Sequence, residues 1–140
     1  MNKLTSVLLT FICCTGALCE GAVPSPDVHA RLQQAVAGGW RSDANKARDQ
    51  YRHPIETLEF FGLKPNMTVV ELRPGDGWYT EILAPVLHDN GQLIAATANL
   101  NGDYTKKLSG NPEVFGKVKL LQFAPPDHVK MGADGTADMV

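Results

Sequence analysis

The residues best suited to chemistry lie in one short stretch. Glu71 comes near the end of an apolar run, Thr68-Val69-Val70-Glu71-Leu72, and the loop Arg73-Pro74-Gly75-Asp76-Gly77 follows it. A carboxylate at the end of a strand can accept hydrogen bonds from an amino or hydroxyl group. Glycines just beyond it let backbone approach a ligand closely, and a helix opening behind them offers free N–H groups. This combination suits a nucleoside cofactor that carries an amino-acid tail. Asp76 reads as a loop-former and helix N-cap. Trp78 and Tyr79 read as packing aromatics of the next helix rather than as stackers on a ligand.

Other candidates are weaker. His53 and Glu56 have a spacing of three residues, which could suit a metal, but no third ligand accompanies them and no metal is expected. His53, before Pro54, reads as a helix-entry residue. His29, His88 and His128 fall on a charged face or in loops and read as solvated. No Ser, His and Asp share a diagnostic spacing. The run from Arg41 to Arg52 mixes Asp43 and Asp49 with its basic residues, so it reads as a solvated face.

These residues need elements to hold them. Ser25-Pro26-Asp27 signals a helix start, followed by Val28, Leu32, Ala35 and Val36 at helical spacing and a stop at Gly38-Gly39. Ser42-Asp43 opens a charged surface segment. His53-Pro54 opens another helix, with Ile55, Leu58 and Phe61 on one face and a stop at Gly62. A strand is predicted at Thr68–Leu72, and a helix from Trp78 to Leu87 that Pro85 should kink. A second strand is predicted at Gln92–Thr97, one helical turn near Tyr104 to Leu108, and a third strand at Val118–Phe123. A fourth strand begins at Ala137-Asp138-Met139-Val140. Strand, Gly loop, helix, turn and strand in succession imply right-handed crossovers and a parallel α/β sheet. In such sheets ligands sit beyond the carboxyl ends of the strands.

The run from Met67 to Gly77, an apolar strand with an acid and then a G-x-G loop, resembles the first motif of class I S-adenosylmethionine-dependent methyltransferases. More narrowly, Arg52-His53-Pro54, Phe60-Phe61-Gly62 and Pro74-Gly75-Asp76-Gly77-Trp78-Tyr79-Thr80-Glu81 resemble a family of exported bacterial methyltransferase-like proteins, over residues 41–140. The resemblance implies a Rossmann-like parallel sheet of the class I methyltransferase type with N-terminal helices. It implies S-adenosylmethionine as cofactor, and Glu71, Pro74, Gly75, Asp76, Gly77 and Asn99 as the residues that bind it. The methyl acceptor and catalytic residues are not implied. Two departures stand out. Arg73 occupies the place of the motif's first glycine. The second strand ends in Thr97-Ala98-Asn99, so the neutral amide of Asn99 stands where an acid would hold the ribose. Asp103 is placed to fold back toward this site, and Asp127 to approach the adenine.

Residues 1–21 read as an export signal: Lys3, then a largely apolar stretch to Leu18, with small residues permitting cleavage after Ala17, Cys19 or Gly21. All three cysteines (Cys13, Cys14 and Cys19) fall there, which excludes a cysteine nucleophile or cysteine zinc site in the mature chain. A periplasmic or secreted bacterial protein without a membrane anchor is expected, with residues 22–62 as a helical segment and 63–140 as the N-terminal half of the Rossmann-like domain. With three to four strands the sheet reads as incomplete, so the 140-residue chain reads as a fragment of a larger domain. A formal net charge of −2 gives no electrostatic case for nucleic acid. The cofactor is made in the cytosol. An exported chain therefore has a second reading: a non-catalytic binding or interaction module that keeps the fold. A nicotinamide oxidoreductase fits less well, because the third glycine and ribose acid of the dinucleotide fingerprint are absent.

Overall fold

The computed structural model describes residues 28–140. The predicted leader, its cysteines and the Ser25 helix cap lie outside them. The chain runs α1 (Val28–Val36), α2 (Asp43–Lys46), α3 (Asp49–Arg52), α4 (Pro54–Phe60), β1 (Thr68–Leu72), α5 (Thr80–Leu87), β2 (Gln92–Thr97), α6 (Asp103–Ser109), α7 (Pro112–Phe115) and β3 (Lys119–Gln122). Among the described residues no helix is long and apolar enough to cross a membrane.

The sheet is parallel, in the order β1-β2-β3. Thr68 faces Gln92 and Ile94 faces Lys119. On the other side of β1 the segment around Met139 runs parallel and bridges Val69. The Val70 N–H donates to the Met139 carbonyl at 2.9 Å, and the Asp138 N–H to the Thr68 carbonyl at 2.8 Å. β1 is therefore flanked on both sides, and Val69, Val70 and Glu71 are all buried. β3, at the edge, is mostly exposed. This α/β arrangement is compatible with a Rossmann-like fragment.

One core fills the space between the sheet and its helices. α5 contributes Ile82, Leu83, Val86 and Leu87, and it packs on α1, β2 and α7, which bring Leu32, Leu93 and Phe115 to the same core; Leu58 of α4 joins it through α1. Pro85 sits inside α5 and has no N–H to give to the carbonyl one turn back. That carbonyl, on Glu81, instead accepts the Trp40 indole N–H at 2.9 Å, so the interrupted ladder leaves no orphan there.

Several expectations change. α5 begins at Thr80 rather than Trp78, because Gly77 takes a left-handed φ and the chain is still turning there. Its N-cap is Tyr79, without a side-chain bond, so Asp76 does not cap it. The single turn expected near Tyr104 is the seven-residue α6. α7 was not anticipated, and its Phe115 is buried. Phe61 is 62% exposed, so α4 buries Leu58 but not the full predicted face. The run from Arg41 to Arg52 is a solvated face only in part: most of it is exposed, but Arg41 and Asn45 are 3% and 2% exposed. His29 lies on the surface but is bonded to Glu59 at 2.6 Å and to Gln33 at 3.0 Å. His53 joins α3 to α4 at φ 44°, as a helix-entry residue.

Candidate functional site

The Gly75-Asp76-Gly77 loop leaves the carboxyl end of β1 where the chain order reverses, with β2 on one side of β1 and Met139 on the other. Open α/β sheets bind ligands at such a switch point. The Arg73 N–H donates to the Ala96 carbonyl at 2.9 Å, and the Gly77 N–H to the Pro74 carbonyl at 2.9 Å, which closes a tight turn. Arg73, Gly75 and Gly77 have φ of 53°, 59° and 80°. The two glycines serve different needs. Nothing lies within 4 Å of where a Gly75 Cβ would stand, so backbone faces open space there. A Cβ on Gly77 would meet Tyr104 Cε2 at 3.1 Å and Thr80 Oγ1 at 3.3 Å, so this glycine is a packing requirement.

Glu71 is buried behind the loop. Thr80 Oγ1 donates to its carboxylate at 2.6 Å. The Tyr104 hydroxyl lies 2.9 Å from the same Thr80 oxygen. When Glu71 is ionised, Thr80 donates its one proton to the carboxylate, and Tyr104 then donates to Thr80. Burial dominates the carboxyl's energetics and pushes its pKa up to about 7, against the smaller opposing pull of Thr80 and Lys107. Near neutral pH Glu71 is thus divided between its two forms, and a cationic amino group beside it would favour the carboxylate. The Tyr104 hydroxyl is pushed upward too, by burial first and then by the Glu71 charge.

The predicted site residues do not share one cavity. Glu71 lines a pocket of about 260 Å³ with Leu58, Val70, Tyr79, Leu83 and Met139. Pro74 and Gly75 line a second cleft of about 380 Å³ over the carboxyl ends of all three strands, with Arg73, Thr97, Phe123 and Pro125. Gly77 is buried between Thr80 and Tyr104, and Asp76 is exposed. Asn99 is exposed, and its side-chain oxygen accepts the Asn101 N–H at 2.8 Å, which folds it onto its own loop. Asp103 starts α6 and meets only Lys106, at 3.1 Å. Asp127 is exposed beyond Pro126.

Beneath the loop lies a charged cluster that the sequence reading missed. Arg41 grips Asp49 with two bonds, at 2.5 and 2.8 Å, and gives a third to the Val36 carbonyl. The indole of Trp78 donates to Asp49 at 2.9 Å and to the Asn45 carbonyl at 3.0 Å, with the Arg52 guanidinium 4.9 Å above its ring. Glu81 is wholly buried. It accepts the Ser42 N–H at 3.2 Å and Lys107 Nζ, and its second oxygen lies 3.6 Å from Arg41 Nε. Lys107 Nζ also donates to the Asp76 carbonyl at 2.7 Å. One signal was available in the sequence. Glu81 sits in the first turn of a helix whose other residues are nearly all apolar, and a carboxylate in that setting must be paired.

Among the described residues no three His, Cys, Asp or Glu side chains are placed to hold a metal ion. The chain matches no protein-family model and no curated protein sequence.

Proposed function

We propose that this chain binds S-adenosylmethionine at the carboxyl ends of β1 and β2 and serves methyl transfer to an acceptor, within a domain of the class I methyltransferase type. The observation that carries the reading is Gly75: a left-handed glycine with open space before it, one turn beyond a buried strand-end carboxylate, at the switch point of a parallel sheet. Pro74 and Gly75 would face the nucleoside, and the methionine tail would have to cross from their cleft into the separate pocket lined by Glu71 for that carboxylate to take its amino group. The bound sulfonium would supply an already activated methyl group. The protein's part is then to hold the two reactants in line and to keep water away.

Calorimetry of the purified full chain with S-adenosylmethionine tests this. Binding is expected in the wild type. Gly75→Ala should lose about tenfold or more in affinity, because its Cβ would enter the ligand's space and its left-handed φ strains any residue that carries a Cβ. No heat with the wild type, or equal affinity for the variant, overturns the reading.

Two observations favour the second reading, an exported binding module without catalysis. Arg73 adopts a left-handed φ in a place suited to glycine, and Asn99 spends its oxygen on its own loop. That reading predicts no cofactor heat from the wild type or from Arg73→Gly.

A further inference from the structure

We infer that Lys107 is a positioning residue that fixes the ligand-approach loop from beneath, as the outer arm of a clamp formed with Glu81, Arg41 and Asp49; its link to cofactor affinity rests on the reading above. The loop between β1 and α5 has few restraints of its own. Its one internal backbone bond is from Gly77 to Pro74, and nothing lies within 4 Å of where a Gly75 Cβ would stand. Arg73 is tied to the Ala96 carbonyl and Gly77 packs against Tyr104, and two side-chain anchors add to these from outside. Lys107 on α6 reaches the Asp76 carbonyl at 2.7 Å, between the two glycines. Trp78, the first residue past the loop, is anchored by Asp49 and the Asn45 carbonyl.

These two anchors are joined through buried charge. Lys107 also binds Glu81, and Glu81 faces Arg41, which holds Asp49. Two cations meet two anions, so the cluster is balanced. Arg41 and Glu81 show no side-chain exposure, so each depends on its partners for compensation. Arg41 Nε and Glu81 Oε2 have no hydrogen-bond partner, although they face each other 3.6 Å apart. Lys107 supplies the direct cationic bond that Arg41, already committed to Asp49, does not make to Glu81. The lysine adds a bond to the loop backbone. It thereby ties the charged segment ahead of the sheet, through Glu81, to a loop whose backbone faces open space at Gly75. Loss of Lys107 would let Asp76 and its neighbours change conformation, and a ligand would have to order them on binding.

Amide hydrogen exchange and calorimetry on the full chain test this together. In Lys107→Met the Gly77 and Glu81 amides, which close the loop, should exchange about tenfold faster, while β2 amides such as Ile94 keep their rates. Lys107→Arg should restore the wild-type rates. Glu81→Gln combined with Lys107→Met removes one charge of each sign and leaves no uncompensated carboxylate. It should show the same local acceleration, which guards against loss of folding in the single variant. Affinity for S-adenosylmethionine should fall about tenfold in Lys107→Met and recover in Lys107→Arg. Unchanged Gly77 exchange, or equal acceleration in β2, overturns the clamp. If the wild type binds no cofactor while Gly77 exchange responds as described, the functional reading fails and the clamp stands. If cofactor binds equally well to wild type and Lys107→Met with Gly77 exchange unchanged, the clamp fails and the functional reading stands.

Discussion

Replacing Glu71 by Gln should remove one specific loss of stability that the wild type suffers as pH rises. The folded carboxyl titrates at about 7, against an ordinary value of 4.5. Between those values the folded chain holds a proton that the unfolded chain releases. Stability therefore falls as pH rises through this window, and is level below about 4.5 and above about 7. At 1.36 kcal/mol per pKa unit the whole effect is about 3 kcal/mol. Most of it, about 2.5 kcal/mol, falls between pH 5 and pH 8. Gln has the same shape, and its amide oxygen can still accept the Thr80 hydroxyl, so Glu71→Gln removes the titration and keeps the bond. Urea unfolding followed by tryptophan fluorescence at both pH values gives the comparison. Every other titrating group contributes alike to both proteins and cancels in the difference. The wild-type midpoint should drop relative to the variant by about 1 to 2 M urea. A wild-type-to-variant difference that is equal at pH 5 and pH 8 would refute the assignment of a shared proton to buried Glu71. The same titration sets a direction for ligand binding: affinity for a cationic amino group should rise with pH up to about 7 and then level.

Two further outcomes follow from packing. Arg41→Met should destabilise by about 3 kcal/mol in urea unfolding, because Asp49 and Glu81 lose their shared cation while remaining sheltered; a loss below about 1 kcal/mol would show that water reaches them. Gly91→Ala should lower stability by about 2 kcal/mol, since its Cβ would stand 2.6 Å from both the Met67 and Pro65 carbonyl oxygens. A thermal midpoint unchanged by that substitution would mean the turn can move aside freely.

The strands were the most legible part of the sequence. Thr68–Leu72 and Gln92–Thr97 have the bounds predicted for them, because β-branched and apolar runs between turn residues leave little choice of ends. The fourth parallel partner was visible in Ala137 to Val140, and Met139 does pair with β1. Short elements were harder. α7 has its signal in Asn111-Pro112: the Asn side chain accepts the Val114 N–H at 3.4 Å and Pro takes the first turn, yet four residues give no periodicity. The charged run was legible only in part, for a different reason: most of it is exposed, but Arg41 and Asn45 are buried. Charge density predicts solvation only when the partners are unknown, and here Arg41 has partners eight and forty residues away, Asp49 and Glu81. Pairing over that distance leaves no local pattern. The candidate site was legible as a loop, through its glycines and its acid. The division of its residues between two cavities was not, because it depends on how β1 is flanked.

That flanking also orders the assembly of the sheet in time. Thr68 closes against Asp138 across 70 residues, whereas β1 reaches β2 through the single helix α5. The β1–β2 loop is roughly a third as long, so the distant closure carries about 1 kcal/mol more chain entropy. On chain entropy alone the β1–β2 pair is expected to form first and the Met139 side of β1 to zip last and open first, so hydrogen exchange should find the Val70 amide less protected than those of β2. A buried carboxyl on that strand is consequently the last part of the site to be sealed from water as the chain folds.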